Sequence, residues 1–298
     1  MTSLRVLLAS TPVGPLGSGI GGGVELTASG IERGLTDRGH RVTVVAPEGS
    51  RSTTSRLVQV PGTLVAPAQT LDRTTRSNLP ADSVLVRMWD EIADRERDFD
   101  VVVNLAYDVV PFERSAVLSV PVAHLVSMAS LTDEMDEAVV RMAHSRPGSV
   151  AMHSRAQVAT FEGLRDEGPV SPVRVIGSGL DLSHYGFVAH PEARLAWVGR
   201  ISPEKGLGDA IAVAEATGLP LRVWGLMEHP EVWDAAVAAY PDASVHHEGF
   251  LSTAELQAGL GPSLALLVTP HWVEAFGNVV IEALACGVPV ITYAGGGP

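Results

Sequence analysis

The sequence predicts an α/β protein made of two Rossmann-like, doubly wound domains facing a cleft, with the second domain truncated at its C-terminus. Three observations predict it. Apolar runs of strand length alternate with helical stretches along all 298 residues, the pattern of a parallel sheet with helical crossovers. The pattern restarts after residue 186, which divides the chain into 1–186 and 187–298. The length also suits two domains better than one.

Taken in order, "LRVLLAS" (4–10) reads as a buried strand, "GGVELTASGIERGLTDRGH" (22–40) as a helix and "RVTVVAP" (41–47) as the next strand. Leu26, Ile31 and Leu35 fall near one helix face, and Gly39 supplies the stop. Residues 48–80 read as a polar excursion with a short strand near "LVQVPG", and 83–98 as a helix. Strands are expected at 99–106, 120–127, 148–154 and 173 onward, with a short helix at 155–164. The second half reads as strand 194–201, helix 207–218, strand 219–225 and helix 230–240. Strand 244–251, helix 252–261, strand 263–270, helix 278–287 and strand 288–294 follow. The closing "AGGGP" is a loop poised to open another helix, so one or two further helices are expected beyond it.

Composition narrows the function. Apolar residues are 46% and charged residues 18%, which excludes a disordered chain. A net charge of −13 argues against broad binding to nucleic acid or anionic membranes, yet leaves room for a local anion site. A single cysteine, Cys286, permits no intrachain disulfide and fits a reducing cytosol. The N-terminal apolar run is too short for a signal peptide, and no run approaches the roughly 18 apolar residues of a membrane helix. A soluble, cytoplasmic protein is expected.

Six of the ten residues from Gly14 to Gly23 are glycine. Gly17, Gly19 and Gly22, with Glu48 after the second strand, satisfy the dinucleotide fingerprint G-x-G-x-x-G. The fit is poor, because Pro12 to Leu16 intervene where that fingerprint needs a tight turn. A solvated surface loop is one alternative. The reading that explains most is a loop whose N–H groups, with the helix start at Gly23, meet a ligand phosphate or sugar across the cleft.

The second half supplies complementary groups. "WVGRISPEKG" places Arg200 and Lys205 on one loop after a strand, at the sheet end where open α/β folds bind ligands. Two cations there suit a diphosphate, although both could be solvated surface charges beside Glu204. In "TPHWVEAFGNVVIEALACGVPV", Glu274 precedes a helix opened by Gly277 and Asn278, and Glu282 lies inside it. Carboxylates accept hydrogen bonds from sugar and ribose hydroxyls, and the helix start favours an anion. Ile281, Ala283, Leu284, Ala285 and Cys286 are apolar, so Glu282 is expected to be an isolated carboxylate in a mostly buried helix. No metal-ligand cluster is visible: His246 and His247 are adjacent and point to opposite faces of a strand.

These stretches resemble the retaining nucleotide-sugar glycosyltransferases of the GT-B fold, family 4. Glu274 and Glu282 match the two glutamates of that family's signature, and Gly287, Pro289 and Val290 its G-x-P-V. "GRISPEKG" is similar to its diphosphate loop, "GGGVE" to its glycine loop, and "IGSGLDLSHY" to its interdomain stretch, with Ser178 in place of the usual Asn. More narrowly, "STPVGPLGSG", "GGGVELT" and "WVEAFGNVVIEALACG" resemble cyanobacterial UDP-glucose:tetrahydrobiopterin glucosyltransferases.

The resemblance implies transfer of glucose from UDP-glucose to a pteridine, without a metal or other cofactor. It implies that His124, Arg200, Lys205 and Glu274 act in catalysis. It implies that Gly22, Gly23, Arg200, Lys205, Glu274, Phe276, Gly277, Asn278 and Glu282 hold the donor. Glu25, Tyr107, Asp108 and Met128 are the expected acceptor wall, although His124 and Tyr107 read equally as packed, satisfied side chains. Other acceptors, namely a glycan, a lipid or another natural product, stay open, as does a UDP-sugar epimerase or a non-catalytic nucleotide-sugar binder. A nicotinamide oxidoreductase would leave Arg200, Lys205, Glu274 and Glu282 unexplained.

Overall fold

The computed structural model describes residues 2–52, 54–165 and 171–297, which fall into two compact units. The first runs to Ser178 and the second covers Gly179–Gly296, so the division precedes residue 186. The stretch Asp181–Tyr185 therefore goes with the second unit, to which Tyr185 is tied by a hydrogen bond to Glu282.

In the first unit the strands are β1 (Arg5–Ala9), β2 (Arg41–Pro47), β3 (Arg56–Val60), β4 (Val101–Asn104), β5 (Val122–Val126), β6 (Val150–Met152) and β7 (Val173–Val175). They form one parallel sheet in the order β3-β2-β1-β4-β5-β6-β7. Helices α1 (Gly23–Asp37), α2 (Val84–Arg95), α3 (Val109–Ser115), α4 (Asp133–Ser145) and α5 (Arg155–Val158) connect them. Both sheet faces are covered, which is why the strands read as continuous apolar runs. Leu7, Ala9 and Val45 pack with Met88, Trp89 and Ile92 of α2 on one side. Leu8, Val44 and Val6 pack with Ala28, Ile31 and Leu35 of α1 on the other.

Helices α3 and α4 fall where the sequence pattern suggested none. Both carry legible starts. Asp108 caps α3 by accepting from Val110 N, with Pro111 in the first turn. Thr132 caps α4, whose first turn holds Asp133, Glu134 and Asp136.

The second unit repeats the plan. Its strands β8 (Leu195–Val198), β9 (Leu221–Trp224), β10 (Val245–Gly249), β11 (Ala265–Val268) and β12 (Val290–Thr292) are parallel, in the order β10-β9-β8-β11-β12. Helices α6 (Leu207–Thr217), α7 (Pro230–Ala239), α8 (Thr253–Leu260) and α9 (Asn278–Ala285) join them. His246 is exposed and His247 is half-buried, its Nε2 donating to Gly225 O at 3.0 Å, as their adjacency on β10 requires. Helix α9 is less enclosed than its apolar sequence suggests: Ala283 is buried but Leu284 is 56% exposed. Among the described residues no helix is long and apolar enough to cross a membrane.

In each sheet the strand order reverses beside the first strand, between β1 and β4 and between β8 and β11. That switch point, at the carboxyl ends of the strands, is where such folds leave a crevice for ligands. The turn after β9 is one of the tightest features there. Gly225 has φ 145°, and a Cβ on it would lie 1.8 Å from the carbonyl oxygen of Gly199. Gly225→Ala is expected to lower stability by about 2–3 kcal/mol, measured by urea unfolding of the whole chain.

Candidate active site

Two loops meet at the switch point of the second sheet. Residues 199–206 follow β8, and residues 269–277 follow β11. Trp197 Nε1 donates to Thr269 Oγ1 at 3.2 Å, and Thr269 Oγ1 donates to Gly206 O at 2.8 Å. His271 N donates to Glu204 O at 2.8 Å. The approach depends on Gly206, at φ 64°, where a Cβ would lie 1.9 Å from Thr269 O.

This stitching brings Lys205 to Glu274. Lys205 Nζ lies 2.6 Å from Glu274 Oε2. Trp272 serves both: its Nε1 donates to the same oxygen at 3.1 Å, and Lys205 Nζ sits 4.8 Å from its ring centroid. Nothing in the sequence singled out Trp272, because one aromatic beside a motif reads as packing. Arg200 is held by two carboxylates, Glu204 at 3.0 Å and Glu228 at 2.5 Å. Phe276 and Asn278 are half-buried, and Gly277, at φ 81°, caps α9.

Glu282, about one turn into α9, accepts from Tyr185 Oη at 3.2 Å. Its burial pushes the carboxyl up from its ordinary value, opposed by that hydrogen bond. Tyr185 is a second partner that sequence spacing could not supply, since it is 97 residues away. A further network lies alongside: His271 Nε2 is 2.7 Å from Asp209 Oδ2, and Tyr293 Oη donates to that oxygen at 2.6 Å. These hydrogen bonds, Tyr293 first and then His271, lower the Asp209 pKa.

In the first unit the chain itself supplies partners to several of the expected site residues. His124 is only 1% exposed, within β5, and burial lowers its pKa to about 3. Asn104 Nδ2 faces His124 Nδ1 at 3.3 Å, Ser115 Oγ faces Nε2 at 3.0 Å, and Phe112 stacks on the ring with centroids 4.3 Å apart. Asn104 Nδ2 is a donor, so Nδ1 accepts and Nε2–H donates to Ser115. This is an enclosed neutral imidazole with both nitrogens engaged.

Glu25 is likewise not an acceptor-facing carboxylate. It is 6% exposed and turned into the glycine loop, accepting from the N–H groups of Gly17 at 2.7 Å, Gly19 at 3.0 Å and Gly21 at 2.6 Å. Those N–H groups therefore hold a carboxylate that belongs to the chain. Gly22 and Gly23 are exposed at the start of α1.

Tyr107, Asp108 and Met128 lie on the loops after β4 and β5 and are half-buried. Tyr107 Oη donates to Ala129 O at 3.1 Å. Burial raises the Asp108 pKa, opposed by its hydrogen bonds from Val110 N and Ser77 Oγ. Met128 O accepts from Gln157 Nε2 at 2.8 Å.

Residues 188–298 match the family of glycosyl transferases group 1. The chain is 32% identical over 111 residues to the 2-deoxystreptamine N-acetyl-D-glucosaminyltransferase of Streptomyces fradiae, covering 35% of this chain and 26% of that enzyme. It is 27% identical over 299 residues to the phosphatidyl-myo-inositol mannosyltransferase of Propionibacterium freudenreichii, covering 91% of this chain and 73% of that enzyme. The chain thus spans about a quarter of the first relative's length. The structure of Anabaena HepE in complex with UDP-glucose superposes with a TM-score of 0.74 at 16% identity, over 99% of this chain and 81% of that one. That likeness shows the GT-B fold.

Two predictions follow from the first unit. Glu25→Ala leaves three loop N–H groups without their acceptor, so amide exchange at Gly17, Gly19 and Gly21 should quicken; a stability loss of about 1–3 kcal/mol is expected, read by exchange mass spectrometry and urea unfolding. His124 stays neutral when folded but takes a proton when unfolded. Its contribution is therefore complete above pH about 6.5 and is lost as pH falls toward 3. Between pH 7 and 5 this residue should cost about 2 kcal/mol, and His124→Gln, though less stable throughout, should lack that part of the slope in urea unfolding.

Proposed function

We propose that the protein transfers a hexose from a UDP-sugar to a hydroxyl of a small acceptor, with retention at the anomeric carbon. The observation that carries this reading is the 2.6 Å contact of Lys205 with Glu274 at the switch point of the second sheet. An ammonium suited to a phosphate and a carboxylate suited to sugar hydroxyls stand side by side there, as a nucleotide sugar requires.

In this reading Arg200 and Lys205 take the diphosphate. Glu274 and the backbone of Phe276, Gly277 and Asn278 take the hexose. Glu282, steadied by Tyr185, takes the ribose hydroxyls. The acceptor is assigned to Tyr107, Asp108 and Met128. The bond from the anomeric carbon to the β-phosphate oxygen breaks through an oxocarbenium-like state. Negative charge grows on the departing phosphate, where Arg200 and Lys205 stabilise it without a metal cofactor. The acceptor oxygen bonds to the same face of that carbon, and its proton passes to the departing phosphate oxygen.

Glucose is the favoured hexose because HepE is known in complex with UDP-glucose. A pteridine acceptor rests on the resemblance of residues 10–19, 21–27 and 272–287 to pteridine glucosyltransferases. A cyclitol acceptor is the second reading, supported by the 2-deoxystreptamine and phosphatidyl-myo-inositol transferases among the relatives.

The test incubates the purified protein with UDP-glucose and either tetrahydrobiopterin or myo-inositol and identifies products by mass spectrometry. A hexosylated pteridine is expected, reduced about 10²–10³-fold in Lys205→Ala and in Glu274→Ala. A hexosylated cyclitol alone would select the second reading. Failure to bind any UDP-sugar in calorimetry would reject both.

A further inference from the structure

The cations of the second sheet are already neutralised by the chain itself. Arg200 and Lys205 together contact three carboxylates, Glu204, Glu228 and Glu274, so the cluster carries a formal charge of −1. A diphosphate arriving there would meet net repulsion unless a carboxylate withdrew. The three carboxylates are not equivalent. Glu274 also receives the Trp272 indole N–H. Glu204 lies on the same loop as Arg200 and accepts from the buried Ser202 hydroxyl at 2.7 Å. Glu228 comes from a different loop, after β9, and its carboxylate has Arg200 as its one hydrogen-bond partner among the described residues.

The backbone sets this up. Ile201 N donates to Leu226 O at 2.9 Å and His229 N to Ile201 O at 3.0 Å, which fixes the 226–229 turn beside the Arg200 loop. Glu228 is thereby delivered to Arg200 while its carboxylate can turn away on its own side-chain torsions. Arg200 would keep its orientation through Glu204 when that happens.

We propose that Glu228 is a specificity-determining counter-carboxylate that holds Arg200 in the unliganded protein and is exchanged for the diphosphate of the donor. The inference deepens the nucleotide-sugar reading and rests on it for the identity of the anion. Glu228 then sets a threshold: an anion must offer Arg200 more than one carboxylate does, which favours a diphosphate over a monophosphate. The same exchange, run backward, helps UDP depart after transfer.

Calorimetric titration of the full chain with UDP and with inorganic pyrophosphate tests this. Glu228→Gln keeps the side-chain shape and removes the charge. It should bind both ligands about three- to tenfold more tightly, as expected for removal of one competing ion pair. Glu228→Ala should do the same, and thermal melts check that both variants fold. In the double variant Arg200→Gln/Glu228→Gln the tightening should vanish, a coupling that a purely structural role for Glu228 would not produce. Unchanged or weaker binding in both Glu228 variants overturns the proposal. If UDP binds no better than pyrophosphate, the nucleotide reading fails, while the ratio of variant to wild type for pyrophosphate still decides the role of Glu228. Absence of binding by either ligand to any of these proteins overturns both.

Discussion

Gly206 allows the loop after β8 to touch the loop after β11, and the candidate site depends on that contact. No side chain fits where its missing Cβ would lie 1.9 Å from Thr269 O. With the two loops joined through Thr269 and Trp197, Lys205 reaches Glu274 across 69 residues of chain. The strand reversal between β8 and β11 makes the contact possible, because it leaves these loops unobstructed by a crossover between them.

The same electrostatic solution recurs in both units. Where the chain gathers groups that could hold an anion, one of its own carboxylates occupies them. Glu25 sits among three glycine N–H groups after β1. Glu204 after β8, Glu228 after β9 and Glu274 after β11 sit on Arg200 and Lys205. Partly buried N–H groups and cations without partners would be costly, so the unliganded protein satisfies them internally. The two cases differ in depth. Glu25 is enclosed by the loop it organises, whereas Glu228 has a single partner among the described residues and partial exposure. The first is therefore architecture, and the second is available for exchange.

His124 shows the opposite arrangement. Burial would make a charged imidazole expensive, and the surroundings offer a donor to one nitrogen and an acceptor to the other. The ring is locked as a neutral core element, stacked on Phe112 of α3. A histidine in an apolar strand is compatible with either a packed or an exposed role until the helix against it is known. Here the sequence pattern placed no helix at α3, although Asp108 caps its start.

The sequence by itself determined the alternation of strands and helices, the restart of that alternation in the second half, and the placement of Arg200, Lys205 and Glu274 on loops at strand ends. Each follows from local periodicity, turn residues and residue chemistry, which act over a few neighbours. Tertiary structure alone decided which of those groups meet. It paired Lys205 with Glu274, Arg200 with Glu228 and Tyr185 with Glu282, and it turned Glu25 inward and enclosed His124. Such pairings join residues tens of positions apart through the order of strands in a sheet, and strand order leaves no mark in the spacing of residues along the chain.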